Sequence, residues 1–187
     1  MNSVNRCSWC GHDPQYVAYH DEEWGVPVRD DVALFSKLIL DTFQSGLSWL
    51  VVLRKRDAMI KVLDLEAPEK LAAWSKSHVD RVLQDDRIIR NRAKVYAAIN
   101  NAQRFCDIRE SGRDFGELLW SHVGGVPQIN AWASESEMPA RTAQGDAMAA
   151  TLKSLGFKWT GPTVCYAFMQ AVGMVNDHVV TCFRHGA

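Results

Sequence analysis

Four residues of metal-binding type lie in two groups far apart in the chain: Cys7 and His20 near the start, His178 and Cys182 near the finish. His178 and Cys182 are four apart in the run NDHVVTCF, where Asp177 can cap a helix, and the spacing predicts a helix with both side chains on one face. Two thiolates and two imidazoles make a closed tetrahedral set, the donor pattern of structural zinc and not of a catalytic ion with an open position. One ion held by all four would tie distant segments together and do no chemistry itself. The sequence offers more donors than one ion needs. Cys7 and Cys10 form a CxxC that suits metal binding or thiol exchange, His12 stands close by, and cysteine in a plain core position is common.

A second group of residues suits the binding of a flat ring. Trp9, Tyr16, Tyr19 and Trp24 fall within one short segment, and Trp49 follows the turn QSGLS. Tyr16 and Tyr19, three apart, would point the same way from a helical turn. Each aromatic alone is ordinary core material; together, beside a polar turn, they can form a stacking slot, and a cationic base would gain further from cation–π attraction. Asp41 projects on the same helical face as Leu34 and Leu38, an apolar setting in which a carboxylate is costly unless paired. It serves there either as a polar partner for the turn before Trp49 or as a ligand-reading group.

These residues must be positioned by helices. Asp30 and Asp31 open VALFSKLIL, SWLVVLRKRDAMIKVL repeats the helical period, Pro68 starts KLAAW, and HVDRVLQ leads through DDRIIRN into RAKVYAAINNAQRFC. FGELLWSHV follows, then DAMAATLKSLG with a glycine where a C′ cap is expected, then PTVCYAFMQAVG. No stretch alternates in the manner of a strand, so the fold class is all-α: one domain over 1–187 in which two helical groups share a core. The irregular segment 111–143 connects the groups.

Composition narrows the partners. With 47% hydrophobic residues in 187, the chain can bury a sizeable core. Five cysteines and a start without an apolar run predict a reducing, cytoplasmic setting, and no stretch has the length of a membrane span. A net charge of −1 argues against indiscriminate polyanion binding. Any nucleic-acid contact must then be local, from Arg54, Lys55 and Arg56, or from Arg87, Arg90, Arg92 and Lys94, unless these are solvated helix faces.

The runs RCSWCGHDPQYVAYHDEEWGVP, QSGLSW with VLRKR, IIRNRAK, and GFKWTGPTVCYAFMQAVGMVNDHVVTC, in this order from about Arg6 to Cys182, resemble the 3-methyladenine DNA glycosylase I family. The resemblance implies an all-α helix-hairpin-helix glycosylase fold, removal of 3-methyladenine from alkylated double-stranded DNA in base excision repair, and one structural zinc on Cys7, His20, His178 and Cys182. It implies a base slot of Trp9, Tyr16, Tyr19 and Trp49, with Asp41 as the catalytic carboxylate. It places a wedge at Gly46 and Leu47 and a phosphate-gripping hairpin at 86–94, with Arg87, Arg90, Arg92 and Lys94. No protein partner or membrane is implied, and a monomer is expected. Two features depart from the family pattern. Asp41 stands where a glutamate is usual, and Arg87 and Ala93 replace hairpin glycines. A damage-binding protein without excision activity and a thiol redox protein on Cys7 and Cys10 are the alternatives.

Overall fold

The computed structural model describes residues 4–186, so positions 1–3 and 187 of the expected domain lie outside the described residues. Helix accounts for 57% of the described residues, in nine α-helices and three single-turn 3-10 helices. Their starts are fixed by short polar side chains that accept hydrogen bonds from otherwise unpaired backbone N–H groups. Asp13 caps α1 (Pro14–Glu22), Asp30 caps α2 (Asp31–Gln44), and Ser75 caps α5 (Lys76–Val82). Asn91 caps α6 (Arg92–Glu110), Asp114 caps α7 (Phe115–Trp120), and Thr142 caps α8 (Ala143–Ser154). Proline at the first helical position starts α1, α4 (Pro68–Ala72) and α9 (Pro162–Ala171), where its missing N–H costs nothing. Ser48 precedes α3 (Trp49–Val62) without a side-chain cap.

Helix α2 is the axis of the packing. It contacts α3, α6, α7 and α9, and Leu34, Phe35, Leu38, Ile39 and Phe43 are fully shielded along it. Phe105 of α6 and Phe115 of α7 continue the same core, with ring centroids 5.2 Å apart. Helix α8 packs on α9, and α4 and α5 pack on α6. The expected glycine stop of α8 is present, since Gly156 takes φ +85° just past the C-cap.

Two expectations fail at the C-terminal end. The chain does contain strand, a parallel pair of β1 (Gln128–Ile129) with β2 (Val175–Asn176). His178 and Cys182 lie beyond β2 in irregular backbone and not on a helix. The cause is that the polar groups needed for a helix start are engaged elsewhere. Asp177, the expected cap, receives Asn130 Nδ2 at 2.6 Å, Trp132 Nε1 at 2.8 Å, Tyr166 Oη at 2.6 Å and Gln170 Nε2 at 2.7 Å. The N–H of Val180 donates across to Trp132 O, and that of Phe183 to Asn5 O.

Candidate active site and metal centre

Cys7, His20, His178 and Cys182 converge although no regular element carries all of them. All four are buried, and their ligand atoms lie within 4.8 Å of one another. Cys182 Sγ is 3.5 Å from both His20 Nε2 and His178 Nδ1, and Cys7 Sγ is 3.7 Å from His178 Nδ1. A tetrahedral ion with bonds of about 2.3 Å to sulfur and 2.0–2.1 Å to nitrogen has a sulfur–nitrogen edge of about 3.6 Å. Three of the donor–donor edges therefore already stand at about the spacing such an ion requires.

The remaining ring nitrogens are held as a metal site needs. His20 Nδ1 lies 2.8 Å from Asp21 Oδ1, and His178 Nε2 lies 3.1 Å from Trp24 O. Asp21 is gripped in turn by the Arg6 guanidinium. Burial pushes His178 down to about 4 and His20 in the same direction, which keeps both imidazoles neutral and able to ligate. Burial also pushes the Cys7 thiol up to about 12, so ion binding there must displace a proton. Cys10 stays outside the cluster, its thiol donating to Cys7 O at 3.1 Å, and His12 is exposed.

The aromatic residues wall a cavity of about 200 Å³ beside this centre. Helix α1 supplies Tyr16 and Tyr19, the turn before it Trp9, α3 Trp49, α2 Asp41 and Gln44, and α9 Gln170. Trp9 lies 5.0 Å from Tyr16 and 5.0 Å from Trp24, and Tyr19 lies 5.4 Å from Trp49, ring centroid to centroid. The loop after β1 seals one side: Glu135 accepts from the Ser8 and Trp9 N–H groups, and Met138 lines the cavity. Three buried polar atoms of lining residues have no partner: Trp9 Nε1, Trp49 Nε1 and Asp41 Oδ2. Unpartnered buried polar atoms are rare, and three around one aromatic cavity would suit a polar, flat ligand.

Asp41 is 3% exposed and its Oδ1 takes the Lys37 ammonium at 2.6 Å. The same ammonium stands 3.9 Å from the Trp49 ring centroid. Burial raises the Asp41 carboxyl while Lys37 pulls it down; burial lowers Lys37 in turn. Lys37 was not found from sequence, because a lysine in an amphipathic helix reads as solvated surface. Its position four before Asp41 was the available signal.

Beside the cavity the turn 45–47 projects outward. Gly46 has φ +80° with open space around it, and Leu47 is 40% exposed. Of the four basic residues expected to face DNA, Arg87, Arg90 and Arg92 are exposed. Arg87 binds Asp85 and holds that carboxyl down at about 2, and Arg92 binds Asp80. Lys94 is different: it is buried, and its ammonium donates inward to Phe43 O at 2.8 Å and Ser45 O at 2.6 Å. It anchors the end of α2 and the turn from behind. Helices α5 and α6 pack on each other across the connection 83–91, to which Lys55 of α3 donates at Asp86 O.

This is a mostly helical scaffold with an aromatic-walled cavity and a separate Cys/His cluster, and comparison with known proteins identifies its lineage. The sequence matches the profile of the methyladenine glycosylase family over residues 9–185. It is 44% identical to DNA-3-methyladenine glycosylase 1 of Escherichia coli (strain K12), with 96% of each chain covered. A DNA-3-methyladenine glycosylase of Haemophilus influenzae is 37% identical, over 96% of this chain and 97% of that one. A crystal structure of 3-methyladenine DNA glycosylase I superposes with a TM-score of 0.95 at 45% identity, covering 97% of this chain and all of that one. The Staphylococcus aureus enzyme, solved to explain 3-methyladenine recognition, gives 0.93 at 32% identity, over 98% of each chain. The chain belongs to the methyladenine glycosylase family.

Proposed function

We propose that this chain excises 3-methyladenine from alkylated double-stranded DNA, releasing the free base and leaving an abasic site, the entry step of base excision repair. The observation that carries the reading is the cavity itself, aromatic on its walls with a buried carboxylate oxygen awaiting a partner. Methylation at N3 makes the attached purine cationic and its glycosidic bond weak. The enzyme then needs little acid or base assistance; it must extrude the nucleotide and hold a cationic ring. Trp9, Tyr16, Tyr19 and Trp49 enclose the ring and Asp41 Oδ2 accepts a hydrogen bond from it. As the bond from base nitrogen to C1′ breaks, its electron pair returns to the base and cancels the positive charge. Water adds to C1′ and gives up a proton to solvent.

Gly46 and Leu47 fill the gap left in the duplex. Helices α5 and α6 with the connection 83–91 act as a helix-hairpin-helix grip on the phosphates, through backbone amides and Arg87, Arg90 and Arg92. Lys94 is not part of this grip; it fixes the wedge turn 45–47 from behind. The Cys/His cluster holds one structural zinc, a closed set of four protein ligands with no position open to substrate. When bound, the ion supplies stability only. The fold works as one domain over 1–187 and as a monomer, in the reducing cytoplasm. Release of free 3-methyladenine from methylated DNA, separated by chromatography, tests the proposal. Binding of that DNA without any released base would reduce the chain to a damage-binding protein.

A further inference from the structure

A carboxylate enclosed by aromatic rings will take up a proton unless a cation opposes it. Four groups from other elements stand near the Lys37–Asp41 pair. Tyr19 of α1 and the Cys165 thiol of α9 both feel Asp41, and burial pushes both up, Cys165 to about 12, so they stay neutral and give it no countercharge. Glu23, beyond α1, and Arg56 of α3 act on Lys37 with opposite signs and are bound to each other. Lys37 is thus the group that opposes protonation of Asp41, by charge and by hydrogen bond. It does so from outside the slot, since it lines the clefts behind α2 and not the aromatic cavity. Its 2.6 Å contact engages Oδ1 and leaves Oδ2 buried and unpaired.

We infer that Lys37 is a positioning residue for this site: its ammonium pins Oδ1 of Asp41 and holds the carboxylate charged, so that Oδ2 alone is offered to the ring in the slot. The inference rests on the excision reading above. It also explains how an aspartate can serve in so apolar a cavity. The ammonium lies over Trp49 as well, so one cation fixes the carboxylate and braces one aromatic wall.

The test uses Lys37→Met and Lys37→Gln, with Lys37→Arg as the conservative control, in two measurements. The first follows the Asp41 side-chain carboxyl by carbon-13 NMR through a pH titration of the folded protein. The second is the pH profile of kcat/KM for base release from methylated DNA. Loss of the ammonium should move the Asp41 titration and the acid limb of the profile upward by about one pH unit or more. Base release by Lys37→Met should then fall more at acid than at alkaline pH, by up to about tenfold for each pH unit that the limb moves. Lys37→Arg should keep the wild-type profile. Lys37→Gln can still donate to Oδ1 and serves if the methionine variant does not fold. An Asp41 titration unchanged in a folded, ammonium-free variant overturns the inference. If the wild type releases no base, the excision reading fails by itself, while the carboxyl titration still decides the role of Lys37.

Discussion

Replacing Asp41 by Asn removes one charge from a buried pair and leaves the other behind. Base release should fall roughly ten- to a hundredfold, the loss of a charge-assisted hydrogen bond worth about 1.5–3 kcal/mol. The Lys37 side chain, 15% exposed, would keep an acceptor but lose its countercharge, so stability should also fall, by about 1–3 kcal/mol. Removing both charges in Lys37→Met with Asp41→Asn should restore much of that stability but none of the activity. Urea melts and base-release assays on the three proteins check this, and a stability cost that persists in the double variant would show that the pair is not its origin. Trp49→Ala should stop base release and cost about 3–5 kcal/mol, because this ring is also core, 7% exposed and packed on Tyr19. Activity must therefore be scored per folded molecule. Asp41 was legible in the sequence because the helical wheel put it among leucines. Lys37 was not, because a lysine on an amphipathic helix reads as solvated surface, whereas its ammonium lies on Asp41 and Trp49.

The end of α2 and the turn 45–47 depend on one side chain from another helix. Lys94 donates to carbonyls that the helix itself leaves unpaired, at the terminus where the backbone dipole favours a cation. Lys94→Met should leave helix content unchanged yet lower base release about tenfold, through a displaced Leu47, at a stability cost of about 1–3 kcal/mol. Circular dichroism and base-release kinetics on one preparation measure both; full activity would disconnect the turn from the chemistry. On the hairpin the expected signature is ionic. Arg87→Ala with Arg90→Ala should weaken DNA binding and lower the slope of log affinity against log salt by about 2 if each arginine meets one phosphate. The helix starts at Asp30, Pro68 and Pro162 could be read in advance, because a cap or a first-turn proline acts on its own neighbours. The backbone after β2 could not. Its shape is set by partners such as Asn130, Trp132 and Asn5, each far off in sequence.

Across the molecule, the Cys/His cluster joins segments that no helix connects. Cys182→Ser should release the ion and lower the melting temperature, whereas Cys10→Ser should do neither, since Cys10 lies outside the cluster. Metal analysis with thermal melts decides between them. With the ion removed, the histidines set a pH dependence. The folded value of His178, about 4, lies below its ordinary 6.5, so the unfolded chain takes up the proton first and stability falls as pH drops from 6.5 toward 4. A gap of 2.5 pH units at 1.36 kcal/mol per unit is about 3 kcal/mol, readable in denaturant melts of chelator-treated protein at pH 7 and pH 4. The same separation of ligands along the chain has a consequence in time. A ribosome adds about 5–20 residues per second, so Cys7 and His20 emerge roughly 8–30 s before His178 exists. Until Cys106 is made, Cys10 is the only other cysteine on the chain, and a disulfide or a misplaced ion between Cys7 and Cys10 would prevent closure of the cluster. In the finished protein Cys7 is 1% exposed and shielded. An oxidant pulse should therefore trap Cys7 with Cys10 on nascent chains while leaving these two buried thiols of completed, metal-loaded molecules unpaired with each other.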